Sequence, residues 1–156
     1  MAGTLYPFKF MKNILTVRTA KNTEIEWINK CYDEIEFVHS KFDNEIIAIA
    51  EMGSEKAGIG RLVTIDADHF ELGGMYVFES FRSCGVARAI VDFLLNKAPQ
   101  HSTVYCIPFE HLVYFYKRFG FASCKNPDPV PKELLDKYLW CKEKYPQPTS
   151  LLILKT

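Results

Sequence analysis

Three short runs of strand-favouring residues follow one another with only tight turns between them, and this arrangement limits the fold more than any other feature of the chain. Asn44 to Met52 (NEIIAIAEM) and Gly58 to Ile65 (GIGRLVTI) flank Gly53-Ser54-Glu55-Lys56, so they read as an antiparallel hairpin. Asp66-Ala67-Asp68 then turns into a third run, Phe70 to Phe78, which carries the pair Gly73-Gly74. Glycine inside a strand marks a bulge or the close approach of another backbone.

The flanking segments add helices and further strands. Asn13 to Arg18 alternates apolar and polar residues and reads as a first strand. Asn22-Thr23 offers an N-cap, and Ile25, Ile28, Cys31, Tyr32 and Ile35 recur at helical spacing, which predicts a helix over Thr23 to Phe37. A second helix is expected from Gly85 to Lys97 on the stripe Val86, Ile90, Phe93 and Leu94. Thr103 to Ile107 is a short strand ended by Pro108, Glu110 to Phe119 a short helix with Gly120 as its stop, and Phe121 to Ser123 opens another strand. A proline-rich loop, Asn126 to Pro131, leads into a helix from Lys132 to Tyr145, and Leu151 to Lys155 is the last strand. The order β-α-β-β-β-α-β-α-β-α-β describes an α/β fold with a mixed sheet and helices packed against it, not a strict βαβ alternation. At 156 residues, with no repeat or linker, the expectation is a single domain over 1–156.

Composition narrows the function. Nineteen basic residues balance nineteen acidic ones, so charge gives no reason to expect a nucleic-acid or membrane partner. The five cysteines are odd in number and no pair has CxxC spacing, so neither a disulfide framework nor a metal site is expected. Buried reduced thiols fit a reducing compartment, and no signal-peptide pattern or run of about 18 apolar residues interrupts the chain, so the expected location is cytoplasmic.

The stretch most informative about chemistry is Glu71 to Leu95: a strand, a short loop, then a helix. Backbone N–H groups at a helix start lack intrahelical partners, and the dipole places partial positive charge there, so such a terminus binds phosphate. Gly85 lets the backbone approach an anion, Ala87 keeps the next position small, and Arg82 and Arg88 add charge. By itself the loop reads equally as a solvated arginine and a glycine that opens a helix. The Walker A and GxGxxG patterns are both absent, which counts against a P-loop or a Rossmann dinucleotide site.

Arg82-x-x-Gly85-x-Ala87 after an apolar strand resembles the acetyl-CoA pyrophosphate loop of the GCN5-related N-acetyltransferases, [Q/R]-x-x-G-x-[G/A]. Glu71-Leu72-Gly73-Gly74-Met75-Tyr76-Val77 is similar to that family's fourth strand, and Phe115-Tyr116-Lys117-Arg118-Phe119-Gly120-Phe121 to its second signature, [F/L]-Y-x-x-x-G-[F/Y]. The two blocks stand in the family's order and at its spacing. The resemblance implies a mostly antiparallel sheet of about six to seven strands and an acetyl-CoA-dependent N-acetyltransferase. Its acceptor would be a primary amine, of a small molecule or a protein. No metal, nucleic acid or membrane enters that reading, and the assembly is a monomer or a homodimer.

The same resemblance assigns roles. An amine attacks the thioester carbonyl directly, and a backbone N–H within Met75, Tyr76 and Val77 holds the tetrahedral oxyanion. The coenzyme is held by that strand and by Arg82, Ser83, Cys84, Gly85, Val86, Ala87 and Arg88. Tyr116 is the donor that returns a proton to the leaving thiolate. Glu71 is the candidate base, with Glu79 and His111 as further candidates and a solvated strand-end carboxylate as the plain reading of Glu71. One departure stands out: Phe109 occupies the position where many members carry Asn. That departure and the open identity of the base keep an alternative in view, a non-catalytic acyl-CoA-binding or regulatory module of the same fold.

Overall fold

A computed structural model describes residues 14–156. Seven strands form one sheet in the order β1-β2-β3-β4-β5-β7-β6. By contact the chain divides into two compact units, one formed by the chain up to Arg61 with Gly74–Lys97, the other by Leu62–Gly73 with Ala98–Thr156. β3 and β4 each run through both.

The first unit holds β1 (Leu15–Thr19), α1 (Ile25–Glu34), β2 (Glu45–Met52), most of β3 (Glu55–Thr64), the end of β4 (His69–Val77) and α2 (Val86–Leu95). β1 runs antiparallel to β2, from Leu15↔Met52 to Thr19↔Ala48. The expected hairpin is present but tighter than its sequence implies: Gly53, at φ 63°, turns the chain within two residues, and Glu55 and Lys56 already belong to β3. Asn13, the expected first residue of β1, lies outside the described residues.

α1 differs from the expected helix at both ends. A 3-10 turn, Asn22–Glu24, precedes it, and the cap comes from Glu24, whose carboxylate accepts the Lys21 N–H at 2.8 Å, not from Asn22 or Thr23. The helix stops at Glu34 because Glu36 turns left-handed (φ 57°). Glu36 N–H then bonds Asp33 O (3.2 Å) and Phe37 N–H bonds Tyr32 O (2.9 Å), the paired bonds of a Schellman stop. The Phe37 ring stacks on Tyr32 with centroids 6.3 Å apart, which adds the hydrophobic contact usual to that motif. Ile28, Cys31 and Tyr32 of α1 pack on Ile47, Ile49 and Ile59, with Trp27, Tyr76 and Phe78 at the edge.

The second unit holds the rest of β3, the start of β4, β5 (Thr103–Cys106), α3 (Val113–Lys117), β6 (Ala122–Ser123), α4 (Lys132–Lys144) and β7 (Leu152–Lys155). β4 and β5 are parallel over His69–Leu72 and Thr103–Cys106; β7 runs antiparallel to both β5 and β6. A parallel pair requires a crossover, which here contains α2. The helix expected over Glu110 to Phe119 is a 3-10 turn, Glu110–Leu112, followed by α3, and Gly120 (φ 103°) ends it as expected. Tyr105, Val130, Leu134 and Leu151 form the core, which explains why α4 forms: its apolar residues cover β5 and β7. Among the described residues no helix is long and apolar enough to cross a membrane.

Candidate active site

In the first unit, β4 carries Gly74 at φ 60°, a left-handed break in extended geometry that glycine adopts most readily. A Cβ there would sit 2.5 Å from the Tyr32 hydroxyl and 2.8 Å from Arg61 Nε. Tyr32 donates its hydroxyl hydrogen to Gly74 O at 2.8 Å, which pins this part of β4 to α1. Met75, Tyr76 and Val77 follow as half-buried strand residues, and Tyr76 donates to Glu34 at 3.2 Å.

Beyond β4 a 3-10 turn (Glu79–Phe81) leads into the loop 82–85. Ser83 (φ 63°) and Gly85 (φ 80°) are both left-handed. Gly85 is the N-cap of α2, and its carbonyl accepts the Ala89 N–H at 3.1 Å, the first bond of that helix. The N–H groups of Val86, Ala87 and Arg88 therefore precede any intrahelical acceptor. A Cβ at Gly85 would meet nothing within 4 Å, so the space over the loop is open. Arg82, Ser83, Cys84 and Arg88 are exposed, while Val86 is buried and anchors the helix. Arg82 Nε reaches Val77 O at 3.4 Å and Cys84 Sγ reaches Arg82 O at 3.5 Å. No acidic residue occupies the first turn of α2, so nothing offsets the positive end of its dipole.

In the second unit, the Glu71 side chain is 8% exposed, and Lys137 Nζ donates to both its carboxylate oxygens at 2.9 and 2.8 Å. Tyr116 on α3 is buried, with Phe115 and Phe121 set edge-on to its ring. Its hydroxyl hydrogen-bonds the buried Cys106 thiol, and burial pushes both groups well above their ordinary pKa values. The Glu71 charge also raises Cys106. Tyr114 is exposed and Tyr105 is core. His111 is exposed and stacks on Phe109, the residue at the asparagine position, at 6.1 Å.

The expected residues thus gather in two sets: Met75–Val77 with Arg82–Arg88 in one unit, Glu71 with Tyr116 in the other. Two residues gain a place that sequence reading did not give them. Lys137 comes from a helix outside the recognised motifs, and no local pattern links it to Glu71. Arg61 is a buried cation on β3, and its one sequence signal is a lone charge inside the run Gly58 to Ile65.

The family profile for acetyltransferases, described as the acetyltransferase (GNAT) family, matches residues 12–121. The chain belongs to this family, and by class it is an acyltransferase. Solved structures share the fold. Rv2747 from Mycobacterium tuberculosis, in complex with CoA and NLQ, is 21% identical over 90% of this chain and 99% of its own, with a TM-score of 0.69. The ribosomal-protein-S18-alanine N-acetyltransferase from Escherichia coli is 12% identical over 91% of this chain and 94% of its own (TM-score 0.66). A GNAT family acetyltransferase from Elizabethkingia anophelis with acetyl-CoA bound is 15% identical over 91% and 98% (TM-score 0.62). No curated protein matches the sequence.

Proposed function

We propose that the protein is an acetyl-CoA-dependent N-acetyltransferase that passes an acetyl group directly to a primary amine. The observation that carries this reading is the start of α2: a left-handed Gly85 with open space over it, three N–H groups without helical acceptors, and no acid in the first turn. A pyrophosphate fits these donors, and Arg82 and Arg88 supply mobile positive charge beside them. The CoA and acetyl-CoA held by proteins of the same fold support the choice of anion.

The thioester supplies an activated acyl carbonyl. Backbone N–H groups of Met75–Val77, after Gly74, stabilise the negative charge that develops on that oxygen. Tyr116 returns a proton to the departing sulfur; a phenol is protonated across the neutral range, the form that a donor needs. Glu71 shares both oxygens with Lys137, so its part in removing the amine proton requires that this ammonium yield.

Calorimetric titration with acetyl-CoA, coenzyme A and NADH tests the reading. Micromolar binding of both coenzyme A forms and none of NADH is expected, followed by release of free thiol when amines are added. Failure to bind either form removes the loop assignment; binding without thiol release across an amine panel favours the non-catalytic module.

A further inference from the structure

Arg61 is 5% exposed, yet it makes no ion pair with any carboxylate among the described residues. Its Nη1 donates to Ser40 Oγ at 2.7 Å, and its guanidinium lies over the Tyr32 ring at 4.7 Å. A guanidinium has five N–H donors, and one hydrogen bond with one ring face leaves much of that capacity unused. Glu45 is the acid whose charge reaches Tyr32, but its carboxylate accepts the Lys41 N–H at 3.4 Å, not the guanidinium. Residues 1–13 contain no Asp or Glu, so that segment cannot supply the missing charge. Arg18 in the same unit shows the ordinary arrangement: it is less buried and holds two carboxylates, Glu24 at 2.7 Å and Glu51 at 2.8 Å.

A largely buried cation without a counter-charge is costly, and an anionic ligand would offset that cost. Position says which ligand. Arg61 Nε lies 2.8 Å from where a Gly74 Cβ would stand, and Gly74 immediately precedes Met75–Val77, the segment proposed above to face the reacting carbonyl. A side chain at 74 would collide with this guanidinium and with the Tyr32 hydroxyl, so glycine there is what lets Arg61 lie against β4.

We propose that Arg61 is the acceptor-binding residue of the transferase and that the amine it selects is a small molecule bearing a carboxylate. This rests on the acetyltransferase reading. The guanidinium takes the carboxylate in a paired, two-bond contact, Ser40 holds the guanidinium in place, and the amine is left beside Gly74 of β4.

The test has two arms. The first follows thiol release with the free amino acids, each beside its carboxamide. At least one acid should be acetylated about 10-fold or more faster than its amide, since a charge-assisted pair is lost. Arg61→Met should lower kcat/KM for that acid about 100-fold through KM, leaving the amide rate and acetyl-CoA affinity unchanged. Arg61→Lys, which keeps the charge and loses the fork, should fall between and covers a failure of Arg61→Met to fold. Equal rates for acids and amides, or an equal loss for both in the variants, overturn the proposal. The second arm needs no turnover: the Arg61 Nε–H resonance should shift on adding acetate and not acetamide. A shift without any acetyl transfer keeps the anion site and removes the activity beneath it; acetyl transfer with no shift removes Arg61 alone.

Discussion

Arg61 in the first unit and Glu71 in the second are both charges set among largely apolar strand residues, and their surroundings differ. Glu71 is closed off by Lys137, which meets both its oxygens. Arg61 has a hydroxyl and a ring face, and no acid. In the same unit as Glu71 the Tyr116 hydroxyl hydrogen-bonds the Cys106 thiol, while Thr149 Oγ1 is the one buried side-chain polar atom among the described residues without a partner. The first unit leaves donors open, at Arg61 and at the start of α2. A group paired within the fold must give up its partner before it can act on a ligand, whereas a desolvated charge left unpaired gains from any group that offsets it.

Substitutions can break this comparison. The largest effect is expected at Gly85→Glu, which puts negative charge and bulk on the open loop. Like-charge repulsion of several kcal/mol should weaken coenzyme A binding at least about 100-fold in calorimetry. The unfolding midpoint should fall modestly, by the roughly 1–2 kcal/mol of a left-handed backbone that glutamate adopts less readily than glycine, since the added side chain itself meets nothing. A large loss of stability with unchanged affinity would place the loop with the closed groups.

Tyr116→Phe should lower kcat about 100-fold with a good acceptor, the usual scale of a lost general acid, while coenzyme affinity holds. Wild-type turnover in this variant moves the proton donor elsewhere and leaves Tyr116 as a packed ring bonded to Cys106.

Lys137→Met tests the closed pair. Fully buried pairs cost about 3–5 kcal/mol to break, and the ammonium here keeps some water, so urea unfolding should show a loss of about 2–3 kcal/mol. The double variant Glu71→Gln/Lys137→Met should recover much of it, as no uncompensated charge remains. An unchanged midpoint in Lys137→Met denies that the pair is structural.

The smallest effect concerns pH. The Arg18 guanidinium, by direct hydrogen bonding, lowers Glu24 from 4.5 to about 2. A carboxylate lowered in the folded state contributes stability that is present above the unfolded value and lost as pH falls through the folded one. Stability should therefore drop between pH 4.5 and about 2, and Glu24→Gln should flatten that slope in acid titration followed by circular dichroism.

The hairpin, the Gly73-Gly74 strand and the helix opened by Gly85 were legible because glycine and strand periodicity act locally. The end of α1 was not: Glu36 adopts a left-handed conformation that its residue type does not announce, and the stacking of Phe37 on Tyr32 helps hold it. The 3-10 break before α3 escaped for a similar reason, since no glycine or proline marks Leu112.

By itself the sequence determined the order of elements, the loop from Arg82 to Ala87 that opens a helix, and the family, all of which follow from residues close together in the chain. Tertiary structure alone decided which charges find partners. Lys137 reaches Glu71 across 66 positions, and Ser40 meets Arg61 across 21. Such pairings depend on how strands and helices pack in three dimensions, and no short-range pattern encodes whether a buried charge ends beside its opposite or without one.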